Sequence, residues 1–216
     1  MTPDLNKAAA AAAETLLNYG IKTAPVDPLY ILEQIENLIV VSFAEMSNSS
    51  GISQSDLIPV FGAGCDAVTS FHTKNGKQMY VVAYNNLLPF NVIQRALARE
   101  LGHIVLHHTE SSRENTIEAE CFMYHLICPR PLIHAIQATG IRFTADLLAN
   151  MTGVFEQSMI NIRHIPGTSV PVCKNRFLRT QFMPFILNFF NFYQNMKQND
   201  GSAIADLGTF MDGYEE

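Results

Sequence analysis

Charge is scarce in this chain. Only 16% of its 216 residues are Asp, Glu, Lys or Arg, and the 14 basic residues are outnumbered by 20 acidic ones. The formal net charge of −6 leaves no global field that favours nucleic acid or an anionic membrane, so direct nucleic-acid binding is not expected. Low charge does not mean disorder here. Hydrophobic residues make up 48% of the chain, ample at this length to bury a core. A long apolar run is also missing. The most apolar tract, Phe182 to Tyr193, is interrupted by Pro184 and two asparagines and falls well short of the roughly 20 residues a spanning helix needs. The N-terminal alanines, Ala8 to Ala13, are weakly apolar and flanked by Asp4 and Glu14, so no signal peptide is expected. Cysteine is sparse too, at 65, 121, 128 and 173 with no C-x-x-C spacing. Reduced thiols and a cytoplasmic location are therefore expected. Cys121 and Cys128 lie two helical turns apart, as two core-facing positions on one helix would. No internal repeat is present.

What remains is a patterned α+β sequence. Residues 4–19 predict a helix ended by Gly20, and a linker with Pro25 and Pro28 leads to a second helix over about 28–37. Ile39-Val40-Val41 begins a strand. Ser47 to Ser55, polar and glycine-containing, reads as a loop. Strands are predicted over about 57–61, 66–72 and 78–84, the last two flanking an Asn75-Gly76 hairpin signal. Met79 to Tyr84 is nearly all apolar or aromatic, as befits a strand buried on both faces or packed under a helix. From Pro89 the period becomes helical, with apolar residues at 93, 96, 97, 101, 104 and 105 on one face of a helix reaching about 107. A further helix over about 114–127 stops before Cys128-Pro129-Arg130-Pro131, because proline restricts the residue ahead of it. Short helices are expected over 131–164. Arg163 to Thr180, basic and proline-containing, reads as an extended connector. A final helix carries Phe182, Phe185, Phe189 and Phe192 on one stripe, which suits a core or a subunit contact better than a ligand box. The acidic tail, Asp212 to Glu216, is expected to fray.

The chemistry lies in Arg95-Ala-Leu-Ala-Arg-Glu-Leu-Gly-His-Ile-Val-Leu-His-His108. Glu100 and His103 form the second half of a His-Glu-x-x-His zinc motif. That motif places two imidazoles one turn apart on a helix face to share a metal, while the Glu activates metal-bound water. Here Arg99 stands at the first His position. Gly102 lets another segment approach the helix. Each residue also has a plain reading: Glu100 and His103 as a surface pair, Glu118 as a helix carboxylate, His107 and His108 at a solvated helix end. His103 and His107, four apart, are a conceivable replacement pair for a metal. His72, His125, His134 and His164 carry no spacing signal.

A second segment, Ile117-Glu-Ala-Glu-Cys-Phe-Met-Tyr-His-Leu-Ile-Cys-Pro129, follows on the next helix. Together the two segments resemble the ImmA/IrrE family of zinc peptidases. Its pattern is an Ala-His-Glu-Leu-Gly-His helix, then a helix reading Glu-Ala-x-x-Phe-Ala-x-x-Leu-Leu-Met-Pro. Glu118, Ala119, Phe122, Leu126, Ile127 and Pro129 sit in that register. The opening helix and the Pro25-Val-Asp-Pro28 linker also fit, so the resemblance covers about residues 10–130.

The resemblance implies His103 as the second zinc ligand, Glu118 as the third and Glu100 as general base toward a zinc-bound water. It places the family's first ligand on Arg99, whose guanidinium is always protonated and has no lone pair for a cation. A broken site is expected, with zinc absent or weakly bound. The fold expected is α+β: a small twisted, mainly antiparallel sheet packed on the 90–107 helix, with additional N- and C-terminal helices. Residues 1–130 would form the metallopeptidase-type domain and 131–216 a helical extension. By the same resemblance the strand before the metal helix offers an edge to substrate, with Met79 to Tyr84 in that position and Tyr84 as its substrate-binding residue. The implied partner class is a helix-turn-helix repressor, of the kind that controls mobile elements or stress responses. Two functions follow: a degenerate peptidase that binds a protein partner without cleaving it, or an active zinc metallopeptidase. A DNA-binding regulator built on residues 141–164 is a weaker alternative, opposed by the acidic composition.

Overall fold

The computed structural model describes residues 2–61, 65–74, 77–141, 147, 149 and 168–199. In chain order the elements are α1 (Leu5–Asn18), α2 (Pro28–Glu33), β1 (Leu38–Ser42), α3 (Phe43–Ser50), α4 (Gln54–Phe61), β2 (Ala67–Lys74), β3 (Lys77–Tyr84), α5 (Phe90–Val105), α6 (Arg113–Ile127), α7 (Arg130–Gln137), α8 (Val172–Gln181) and α9 (Met183–Asn199). The fold is α+β. No helix among the described residues is long and apolar enough to cross a membrane. The chain forms two compact units, Met1–Asp4 with Asp27–Met123 and Leu5–Val26 with Tyr124–Glu216.

The first unit holds a three-stranded sheet in the order β1-β3-β2. β1 runs parallel to β3, from Leu38↔Tyr80 to Ser42↔Tyr84. The longer β2–β3 ladder is antiparallel, from Ala67↔Tyr84 to Lys74↔Lys77. The Asn75-Gly76 turn signal lies outside the described residues. β3 is therefore the central strand, and the expected edge at Met79 to Tyr84 is corrected: β1 occupies one side of that segment and β2 the other. Val82 and Ala83 are buried, as a central strand under a helix requires. Helix α5 packs against β2, β3 and α2 and buries Ala96, Leu97, Leu101 and Ile104.

Two further expectations fail in this unit. Ser47 to Ser55 is mostly helical rather than a loop, and residues 57–61 are helical rather than a strand. The cause is local capping that composition conceals. The Ser42 hydroxyl accepts from the Glu45 amide at 3.2 Å, and the Glu45 carboxylate accepts from the Ser42 amide at 2.7 Å, a reciprocal capping box that starts α3. Hydrogen bonds from the Ser42 amide and hydroxyl to the Glu45 carboxylate also hold that carboxyl below its ordinary pKa. Gly51, at φ 72°, ends α3 in the left-handed conformation. Phe43 and Phe61 then stack with ring centroids 5.1 Å apart, which ties α4 back to α3.

The second unit is helical. Helix α1 ends in a Schellman turn, with Ile21 N–H donating to Leu16 O at 3.0 Å and Gly20 N–H to Leu17 O at 3.1 Å. Residues 172–180, expected as part of an extended connector, are helical in α8; Arg163 to Gly167 lie outside the described residues. Pro171 caps α8 without interrupting it, because a proline at a helix start lacks only a hydrogen-bond donor the helix does not use. The Gln181 amide donates to Leu16 O at 2.7 Å and Ile21 O at 2.6 Å, binding α8 to the end of α1. Phe182, Phe185 and Phe189 are fully buried, so the aromatic stripe of α9 is core. Cys121 and Cys128 are buried, and burial pushes the Cys128 thiol up to about 12. Of the short helices expected over 131–164, α7 lies in the described part. Most of the rest, and the acidic tail, lie outside it.

Candidate functional site

Helix periodicity turns Glu100 into the sheet. The carboxylate is buried, and its Oε2 accepts from the Thr69 hydroxyl of β2 at 2.8 Å. Its Oε1 faces Arg99, whose Nε and Nη2 lie 3.4 and 3.5 Å away. These are long contacts, so the guanidinium acts more as a nearby charge than as a tight fork. Burial pushes the Glu100 carboxyl above its ordinary range, and Thr69 and Arg99 pull it part of the way back. Burial also raises the neighbouring Cys65 thiol, with Glu100 adding to the effect.

The end of α5 creates a contact that helical spacing does not predict. His107 adopts φ 58°, a left-handed conformation in a residue other than glycine. Its N–H donates to Ile104 O at 3.1 Å, and the His108 N–H donates to His103 O at 3.0 Å. This is a Schellman termination, which folds the residue two past the cap back over the third residue from the helix end. His108 is thereby laid against His103, with ring centroids 5.1 Å apart at 72°. Their Nδ1 atoms lie 3.0 Å apart, and His108 Nε2 lies 3.2 Å from Glu118 Oε2. The second oxygen of Glu118 accepts from the Asp4 amide at 2.6 Å.

These contacts order the protons. A carboxylate only accepts, so His108 Nε2 carries the hydrogen that faces Glu118. His103 itself is held neutral: burial, with the charges of His108 and Arg99, brings its pKa down to about 4.

Close approach of α6 makes this possible. A Cβ built on Gly102 would stand 3.0 Å from Phe122 Cδ1 and 3.2 Å from both Cα and O of Ala119, so only glycine admits α6 here. A cavity of about 250 Å³ opens beside the pair, lined by Thr69 and Phe71 of β2, Tyr80 of β3, Glu100 and His103 of α5, and the 108–111 segment with His108 and Glu110.

The structure thus brings Glu100 and His103 to one cavity and joins Glu118 to them through His108. Arg99 pairs with Glu100 and leaves Glu118 to His108. Tyr84 ends β3 opposite Ser42 and Ala67, with its hydroxyl pKa raised by burial and by Glu45 and Glu33; the tyrosine at the cavity is Tyr80. His107 is exposed, so it is not the partner of His103. His72 and His134 are exposed as well, and His164 lies outside the described residues. His125 is buried against Thr168 in the second unit, 3.1 Å from its hydroxyl. The residue that sequence reasoning missed is His108, whose side chain is only 6% exposed although its position suggests a solvated helix end.

A sheet over a helix that carries a buried Glu-x-x-His, with a second helix supplying Glu118, is the layout of a zincin-type peptidase domain. Residues 63–161 match the family model described as the IrrE N-terminal-like domain, which supports the resemblance to the ImmA/IrrE family of zinc peptidases. No curated protein and no solved structure matches the chain significantly.

The family's zinc does not fit the residues as they stand. Catalytic zinc takes three protein ligands and keeps one position open. Arg99 offers no lone pair, and His103, His108 and Glu118 bond to one another and to the Asp4 amide instead of converging on one centre. Among the described residues no group of three His, Cys, Asp or Glu side chains is arranged to hold a metal ion.

Proposed function

We propose that this chain is a degenerate peptidase-like protein that binds a protein partner in its cleft and does not cleave it through zinc. One observation carries the reading. The guanidinium of Arg99 lies against Glu100, so a fixed positive charge stands where the family has a ligand for a dication, and it covers the carboxylate that would serve as base. The cavity borders β2, which pairs only with β3 among the described residues and so keeps a free edge. An extended segment of a partner adding to that edge would run past Phe71 and Glu100, with backbone hydrogen bonds for affinity and the cavity for one side chain. The family resemblance nominates a helix-turn-helix repressor as that partner, in the setting of a mobile element or a regulated response.

The competing reading, an active zinc metallopeptidase cleaving a transcriptional repressor, has one contact in its favour. His103 and His108 present nitrogens 3.0 Å apart, close to the separation of two ligands on one ion. Calorimetric titration with zinc separates the two. The expected result is no stoichiometric binding by the wild-type chain and measurable binding by Arg99→His. Tight binding of one zinc by the wild-type chain would overturn the degenerate reading.

A further inference from the structure

The second unit contains a larger cavity, of about 470 Å³, between α7, α8 and the segment 168–170. Its walls carry three guanidiniums, from Arg130, Arg176 and Arg179, with His134, Ser169 and Asn175 beside them. Neither wall has a carboxylate to answer them. Residues 130–141 and 168–181 contain no Asp or Glu at all. Together these two segments carry four Lys and Arg and no acidic residue, in a chain whose formal net charge is −6. Positive charge is therefore concentrated here against the trend of the molecule.

The basic residues divide by direction. Lys174 of α8 is neutralised by Glu14 of α1 at 2.6 Å and does not line the cavity. Arg176 and Arg179, one helical turn apart, line the cavity and have no acidic partner among the described residues. Arg130 is held in place by a hydrogen bond from its Nη1 to Thr168 O at 3.2 Å, which leaves its remaining N–H groups for another acceptor. Like charges sharing a recess repel one another unless an anion enters. Three guanidiniums present flat forks of N–H donors, the geometry that takes a phosphate in pairs of hydrogen bonds.

We propose that this cavity is a binding site for a small phosphate-bearing molecule, whose phosphate is held by Arg130, Arg176 and Arg179. A monocarboxylate would satisfy one arginine and leave two uncompensated; a phosphomonoester answers two, and a diphosphate brings the charge that three require. The volume lies within the range of small-molecule sites, and the apolar side chains of Pro131, Ala135, Val170 and Val172 give the rest of such a ligand a wall. A nucleic-acid footprint would instead run as a basic stripe over an open face. The site lies in a different unit from the cleft, and the proposal does not depend on how the cleft is read.

The test is calorimetric titration of the full chain with inorganic pyrophosphate at about 0.15 M ionic strength. Two variants accompany it, Arg176→Gln and Arg179→Gln, both at exposed positions where folding is not at stake. One site per chain, with affinity weakened about tenfold or more in each variant, is expected from the loss of a charge-assisted fork. An Arg130→Gln variant should weaken binding as well, and circular dichroism will show whether it is folded. No heat with pyrophosphate up to concentrations on the order of 1 mM would overturn the proposal, as would binding untouched by both exposed variants. A single-stranded oligonucleotide or an acidic peptide that binds more tightly than pyrophosphate and is lost in the same variants would overturn it in favour of a macromolecular partner.

Discussion

Gly102→Ala tests the contact on which the site is built. In an exposed helix interior, replacing Gly with Ala stabilises by about 1 kcal/mol, because the backbone loses less entropy on folding. At this position the new methyl would lie 3.0 Å from Phe122 Cδ1 and 3.2 Å from the Cα and O of Ala119. Carbon atoms in favourable contact sit about 3.5–4.0 Å apart, so each neighbour must retreat by several tenths of an ångström. None can do so easily. Two of the three atoms are backbone of α6, and Phe122 is fully buried. Overpacking of this kind costs about 1–3 kcal/mol, and rigid neighbours put it toward the upper end. After the propensity gain is subtracted, a net loss of about 1–2 kcal/mol remains. Urea unfolding followed by far-UV circular dichroism should show a lower midpoint with an unchanged slope. Ala119→Gly should not rescue it, since the atoms in the way are ones glycine also has. A retreat of α6 would also carry Glu118 from His108, whose contact at 3.2 Å is already at the long end of hydrogen-bonding range, and the His108 ring resonances should shift. A Gly102→Ala variant as stable as the wild type, with those resonances unmoved, would refute the packing of α6 on α5 described above.

Arg99→Ala leaves Glu100 buried with the Thr69 hydroxyl at 2.8 Å as its side-chain partner among the described residues, and should destabilise by about 1–2 kcal/mol near neutral pH. The Glu100 carboxyl is already raised above 4.5 in the folded chain, so stability falls as pH rises through that raised value; losing Arg99 raises it further, and the deficit should shrink as acid protonates Glu100. A deficit independent of pH between about 4 and 7 would contradict that origin. His125 gives the opposite slope. Burial, with the charge of Arg130, brings its pKa from 6.5 down to about 4, so the unfolded chain binds the extra proton between those values. Stability from this group is complete above about pH 6.5 and is lost as pH falls toward 4, by on the order of 3 kcal/mol. His103 titrates in the same window, so the measurement is the difference in urea midpoint between the wild-type chain and His125→Gln. A variant whose acid sensitivity equals that of the wild type would exclude His125 as a source of the slope.

Much of the fold was legible because periodicity and turn chemistry are local. Helices α1, α5 and α6 follow from apolar spacing with Gly20 and Pro129 as punctuation, and the β2–β3 pair follows from alternating segments around Asn75-Gly76. Helix α3 was hidden by its composition, since Ser and Asn favour turns by intrinsic propensity. Its capping box, Ser42-Phe-Ala-Glu45, was nevertheless present in the sequence as a start signal. Helix α8 was hidden by Pro171, which reads as a break until its place at the helix start is known. The central position of β3 has no local signature. It depends on β1 pairing in parallel across a long connection, and nothing in Met79 to Tyr84 distinguishes a central strand from an apolar edge.

The site shows the same limit more sharply. Glu100, His103 and Glu118 were legible as a pattern, but their mutual arrangement turns on His107, where a positive φ in a residue other than glycine reverses the chain. Spacing assigns His108 to solvent; the Schellman turn gives it to His103 and Glu118. This bears on the zinc titration of Arg99→His. Restoring one histidine supplies the missing lone pair, yet both Glu118 oxygens already accept hydrogen bonds, from His108 and Asp4, and turning the carboxylate to a metal would release one of them. Each such bond to a charged group is worth about 1.5–3 kcal/mol, so releasing one weakens zinc binding by roughly one to two orders of magnitude relative to a site with no competitor. Arg99→His combined with His108→Ala should therefore bind zinc more tightly than Arg99→His alone, because Glu118 is freed at its Oε2. If the double variant binds no better than the single, the His108 contacts do not compete with the metal. If it loses binding altogether, His108 is itself a ligand, and the competing reading of the cleft gains the donor it lacks.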